Sequence, residues 1–167
     1  PKTGLREFQE QLAARLATGQ EGDSARFLGF EAAGRLWLLP AADSGELLPL
    51  AAPLHAVPLT RPWFAGLLNV RGNLYGVTDF SRFLGGDPTP RDADARLLLI
   101  GNRHPGHSAL LVARSFGLCP AHDWEAQAAP GAAPWISGSF VDGQARCWER
   151  LDVCALLAAP DFLAVGI

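Results

Sequence analysis

Residues 57–80 read VPLTRPWFAGLLNVRGNLYGVTDF, and the part after Gly66 decides the fold class. Gly66-Leu-Leu-Asn-Val-Arg71 is an apolar run with a polar end. Gly72-Asn73 is a turn dipeptide, and Leu74-Tyr-Gly-Val-Thr-Asp79 returns as a second strand-like run. The pattern predicts a β-hairpin. Arg71 falls at its tip, where a guanidinium has five donors to fork onto a carboxylate. Asp79 is placed to cap a short helix over 80–84, closed by Gly85-Gly86. Trp63, inside the proline-flanked Thr60-Arg-Pro-Trp-Phe, reads as a packing anchor under the hairpin, with an exposed interaction element as the alternative.

The same style of short runs extends to both sides. Segments 26–31 and 35–39 flank a turn at Ala33-Gly34, and 46–50 lies in a proline-bounded stretch. Beyond a linker at 87–94, DPTPRDAD, strands are predicted at 96–100 and 108–114 around the turn 102–106. Segments 135–141 and 144–149 flank Asp142-Gly143, a strong local hairpin signal. A short helix is predicted over 151–158, stopped before Pro160 and followed by an apolar tail, 162–167. The alanine- and proline-rich stretch 119–134 reads as a solvated loop. At the N-terminus Leu5, Phe8, Leu12 and Leu16 recur at spacings of three and four, which marks an amphipathic helix within 1–19. Many short strands with Gly/Pro turns favour small barrels over a parallel α/β sheet, because no strands alternate with ten-residue helical patterns.

Composition removes several function classes. With 167 residues and 49% hydrophobic content the chain can bury a sizeable core. A net charge of −3 leaves no electrostatic footprint for a polyanion, so nucleic acid is a poor partner. Cys119, Cys147 and Cys154 form no CxxC pair and read as reduced cytosolic thiols. Apolar runs such as 97–100 and 109–113 are far shorter than the roughly 20 residues needed to span a bilayer.

Three constellations carry ligand or catalytic residue types. His104-x-x-His107 and Cys119-x-x-His122 have zinc-ligand types and pair spacings. If 108–118 is one extended strand, the pairs lie more than about 30 Å apart at about 3.3 Å per residue and cannot share an ion. Ser81, Ser108 or Ser137 could be set with a histidine and Asp79 or Asp142, but no serine sits in a G-x-S-x-G elbow. No G-x-G-x-x-G or G-x-x-x-x-G-K-[ST] is present, so no nucleotide cofactor is expected. Of the five tryptophans, Trp37, Trp124, Trp135 and Trp148 lie in or beside strand-like runs and read as core or seam residues.

Val57-Pro-x-Thr60, Trp63-Phe-x-Gly66, Asn69-Val-Arg-Gly72 and Val77-x-Asp79-x-x-x-Phe83-Leu-Gly together resemble the signature of CheW-like coupling proteins. The Trp-Phe form and the ending Trp148-x-x-Leu151-Asp-x-x-x-Leu156 with Phe162-Leu163 are similar to the PilI branch of type IV pilus chemosensory systems. The resemblance is specific over about 25–86 and acceptable at the C-terminal end. It implies a mainly β fold of two small five-stranded SH3-like barrels within a domain spanning 25–167. The first barrel would cover about 25–86, the second about 95–149, and a short C-terminal helix and tail 150–167. It also implies a cytoplasmic, non-enzymatic adaptor associated with membrane receptor complexes, with no cofactor and no membrane insertion of its own. The implied partners are the regulatory domain of a CheA-type histidine kinase and the cytoplasmic tip of a chemoreceptor. Carried over to this sequence, the family's exposed arginine falls on Arg71, its asparagine and glycine on Asn69 and Gly72, its strand-opening glycine on Gly66, and its glutamate on Glu46. Ser44-Gly45 stands where the family has a valine before that glutamate. Leu47, Leu50 and Val70 are the expected walls of an apolar groove for a helical receptor tip. An intramolecular Arg71–Glu46 pair that only fixes the hairpin tip is the structural alternative. A barrel module for peptide or single-stranded nucleic acid is the functional one.

Overall fold

The structure, a computed structural model, describes residues 26–51, 53–121, 123–128 and 131–167; the helix expected within 1–19 lies outside them. Strands β1 (Arg26–Ala32), β2 (Arg35–Pro40), β3 (Ser44–Pro49), β4 (Phe64–Val70) and β5 (Asn73–Asp79) precede a one-turn helix, α1 (Phe80–Phe83). Strands β6 (Arg96–Ile100), β7 (Ser108–Val112), β8 (Arg114–Pro120), β9 (Glu125–Gln127), β10 (Ile136–Val141) and β11 (Cys147–Leu151) follow. Two short helices, α2 (Val153–Ala158) and α3 (Pro160–Leu163), end the chain where one helix and a tail were expected.

The strands form a five-stranded sheet, β3-β6-β7-β5-β4, and a six-stranded sheet, β8-β1-β2-β11-β10-β9. Two expectations are corrected by this order. The units do not divide into 25–86 and 95–149, because β1 and β2 leave the first half to pair with β8 and, in parallel, with β11. Neither sheet closes into a five-stranded barrel, since the hydrogen-bonded orders end at β3 and β4 and at β8 and β9. The described part of 119–134 is largely exposed, as expected of a solvated stretch, but it is not all loop. Cys119 and Pro120 end β8, 125–127 pairs with β10, and Trp124 packs on Trp148 with ring centroids 5.3 Å apart.

Side-chain alternation explains why the central strands read as unbroken apolar runs. On β6, Leu97 and Leu99 enter the interior of the five-stranded sheet, while Leu98 and Ile100 face the six-stranded one. On β7, Ala109 and Leu111 point inward and Leu110 and Val112 point to the seam. In the other sheet Leu38 faces inward with Phe27 and Trp148, and Trp37 and Leu39 face the seam. A strand covered on both faces has no polar side to show. Seam burial is dominated by rings. Trp37 lies 5.1 Å from Phe80 and 5.9 Å from Trp135, and burial of such area stabilises by about 25 cal/mol per Å².

Two buried aspartates hold loops rather than chemistry. Asp79 caps α1 through Arg82 N–H and accepts from Thr89 N–H at 3.0 Å and Thr89 Oγ1 at 2.5 Å. Asp142 takes the Trp148 indole N–H at 2.9 Å, the backbone N–H groups of Gln144 and Arg146, and Arg146 Nε. Burial pushes its carboxyl up, but these donors outweigh that and hold it well below the usual carboxylate range.

The edges of the five-stranded sheet come back toward each other. His55, on the chain leaving β3, exchanges both backbone hydrogen bonds with Leu67 of β4, at 2.9 and 2.8 Å. Gly66 makes this possible: its φ is +131°, and a Cβ there would sit 2.5 Å from the His55 carbonyl oxygen. Gly66→Ala is therefore expected to destabilise the fold by about 2–4 kcal/mol, measured by chemical denaturation; wild-type stability would show that the 53–56 segment is free to move away.

Candidate functional site

The tip of the β4–β5 hairpin is built from its own sequence. Val70 pairs with Asn73, so the two-residue loop is Arg71-Gly72 and not the expected Gly72-Asn73; Asn73 opens β5. Both loop residues are left-handed, with φ of +51° and +85°, as a type I′ turn requires. Gly72 adopts this freely, and the Asn69 side-chain carbonyl accepts its N–H at 2.9 Å. Arg71 has no such freedom. A bulky cation is held in a backbone conformation that L residues avoid, which is the kind of local strain found at functional positions.

From there the guanidinium forks onto Glu46, Nη1 to Oε1 and Nη2 to Oε2, the latter at 2.9 Å. Both side chains remain open to solvent, 74% for Arg71 and 42% for Glu46, so the pair is available to a third group. The hydrogen bond from Arg71, helped by its charge, holds the Glu46 carboxyl below its ordinary value against the opposing effect of desolvation. An exposed pair of this kind adds little to stability. It bridges the two edges of the sheet, since Glu46 lies on β3 and Arg71 follows β4.

The seven expected site residues divide into three groups. Glu46, Val70 and Arg71 line one cleft of about 330 Å³. Asn69 and Gly72 shape the turn. Leu47 packs against the core between the sheets and Leu50 against the interior of the five-stranded sheet, and neither lines this cleft. The cleft also includes Asn73, Tyr75 and Asn102, which sequence reasoning did not single out. Asn73 and Tyr75 share a strand face, so the period of two was the signal available for them. Asn102 comes from a loop, and no local pattern connects it to the hairpin.

The other constellations come apart. His104 turns to Asp43, His107 lies with its ring 5.0 Å from Tyr75, and Cys119 sits beneath Gly29 inside the six-stranded sheet. The chain passes from one sheet to the other between β7 and β8, which separates the histidine loop from Cys119. His122 lies outside the described residues, and among the described ones no three His, Cys, Asp or Glu side chains are placed to hold a metal ion. Ser81 donates to the Asp87 carbonyl at 2.6 Å, and Ser137 accepts from Arg150 Nε at 2.8 Å, while Asp79 and Asp142 are engaged as described. Ser108 begins β7. Trp63 packs between Phe83 and Phe162, at 5.3 and 6.2 Å, and stays half-buried at the rim of a second cleft with Trp135. Among the described residues no helix is long and apolar enough to cross a membrane.

Known proteins match this architecture closely. The CheW-like domain family matches residues 26–161. Over 164 residues the chain is 30% identical to Protein PilI of Pseudomonas aeruginosa, covering 94% of this chain and 89% of that one. The crystal structure of the scaffolding protein TtCheW from Thermoanaerobacter tengcongensis aligns with a TM-score of 0.69 at 16% identity, over 84% of this chain and 98% of its own, and so shares the fold. A family match across most of the chain, a similar relative over nearly its whole length and the same two-sheet fold agree, and the chain belongs to the CheW-like domain family.

Proposed function

We propose that this protein is a non-enzymatic adaptor that couples a chemoreceptor to a CheA-type histidine kinase, in a chemosensory pathway of the type IV pilus and twitching-motility kind. Family membership supports the scaffold role, and likeness to PilI supports the pathway. The observation that carries the site is the exposed Arg71–Glu46 fork at a strained hairpin tip. A free ion pair at such an edge can exchange one partner for a charge on an incoming protein, which sets register and orientation more than affinity. The adjoining cleft sets Val70 and Tyr75 beside the polar Ser44, Asn73 and Asn102, a mixed lining suited to protein contact. A nucleic-acid barrel would present a basic groove; here the arginine of the cleft is matched by a glutamate, and the chain is acidic overall.

Two substitutions separate docking from support. Arg71→Gly relieves the left-handed strain, so its melting temperature should equal or exceed that of wild type; a marked fall would make Arg71 a structural residue. Arg71→Asp should fold normally yet bind a CheA-type regulatory domain or a receptor-tip peptide roughly tenfold or more weakly in a calorimetric titration. If folded wild-type protein binds neither partner, the adaptor reading fails.

A further inference from the structure

His104 is among the few ionisable side chains that this fold buries, and the docking edge makes no use of it. The residue is 8% exposed, in the loop between β6 and β7. Its Nε2 lies 2.7 Å from Asp43 Oδ1, and its Nδ1 lies 3.8 Å from the Sγ of Cys154. Three separate segments supply the set: the one-turn 3-10 helix Ala41–Asp43, the histidine loop, and the first turn of α2. Backbone bonds lock the first two together. Gly101 N–H donates to the Asp43 carbonyl at 2.8 Å, and His104 N–H to the Gly101 carbonyl at 3.1 Å. Arg103 Nε also approaches Asp43, at 3.6 Å.

This geometry has a definite chemical reading. A carboxylate on Nε2 keeps the proton of the neutral ring there, which leaves the Nδ1 lone pair facing the thiol. A nucleophile, a base within reach and a third group orienting the base form the arrangement that activates cysteine. Cys154 itself is exposed, so a reagent can reach it, whereas Cys119 is partly covered and burial pushes its thiol up.

We propose that Cys154 is a reactive thiol, activated by His104 and Asp43, and a site of reversible mixed-disulfide formation with low-molecular-weight disulfides. In the step, His104 Nδ1 takes the thiol proton and the Cys154 sulfur attacks one sulfur of the disulfide. A new S–S bond forms, the old one breaks, and the departing thiolate takes up a proton. The net exchange needs no further oxidant. Ser44, Gly45, Gly101 and Asn102, which adjoin Asp43 and His104 in the chain, line the Glu46–Arg71 cleft, so the modified position abuts the loops of the docking edge.

The test uses the intact protein and glutathione disulfide at neutral pH, with site-resolved mass spectrometry. Cys147, exposed on β11, is the reference thiol in the same molecule. Cys154 is expected to react about three- to tenfold faster than Cys147. His104→Gln should bring it to the Cys147 rate without changing Cys147; where that variant fails to fold, Asp43→Asn should slow Cys154 in the same selective way. A wild-type Cys154 no faster than Cys147 overturns the proposal, and so does a fast Cys154 that folded variants do not slow.

Discussion

The fold turns on the backbone exchange between His55 and Leu67. A five-stranded sheet has two edges, and here they face each other across an interior of leucines instead of lying open to pairing with other chains. Without a closing strand ladder, the two edges are tied by the 53–56 segment, which meets β4 at Leu67 and is admitted because Gly66 carries no Cβ. Leu50 and Leu54 pack in the same cluster as Leu68 and Val70. The same closure places Glu46 opposite Arg71. The edge proposed for docking is thus a consequence of how the sheet returns on itself.

The second sheet depends on the first through the seam. Trp37, Phe30 and Leu39 of one sheet pack with Leu98 and Leu110 of the other and with Phe80 of α1, and α2 and α3 cover the end with Leu156 and Phe162. The chain enforces this by topology as well as by packing, because β1 and β2 are held between β8 and β11. Cutting between residues 86 and 95 would divide the six-stranded sheet.

Local patterns were legible where the cause was local. The β4–β5 hairpin, the Asp79 cap, the Ala33-Gly34 turn and the whole of β6 follow from turn residues, capping chemistry and apolar runs within a few positions. The turn at Arg71 was displaced by one residue because both Arg71-Gly72 and Gly72-Asn73 contain a glycine, and only the pairing of Val70 with Asn73 decides between them. Pairing over long separations was not legible. Nothing near 114–120 announces that it leaves the β7 sheet to pair with β1, or that 125–127 adds an edge strand in a stretch rich in alanine and proline. Within the site, Glu46, Arg71, Asn69 and Gly72 were reached through resemblance. Leu47 and Leu50, expected as groove walls, stay half-buried beside the two cores and do not line the Glu46–Arg71 cleft, and the Asp43–His104–Cys154 set joins residues whose contact no spacing reveals.

Hydrogen exchange of the intact chain, alone and with a CheA-type regulatory domain or a receptor-tip peptide, tests the central claim most directly. The account predicts that partner binding slows exchange in 44–47 and 69–75, the strand and hairpin that carry Glu46 and Arg71. Binding that leaves both segments unchanged and slows exchange only in the six-stranded sheet would contradict it.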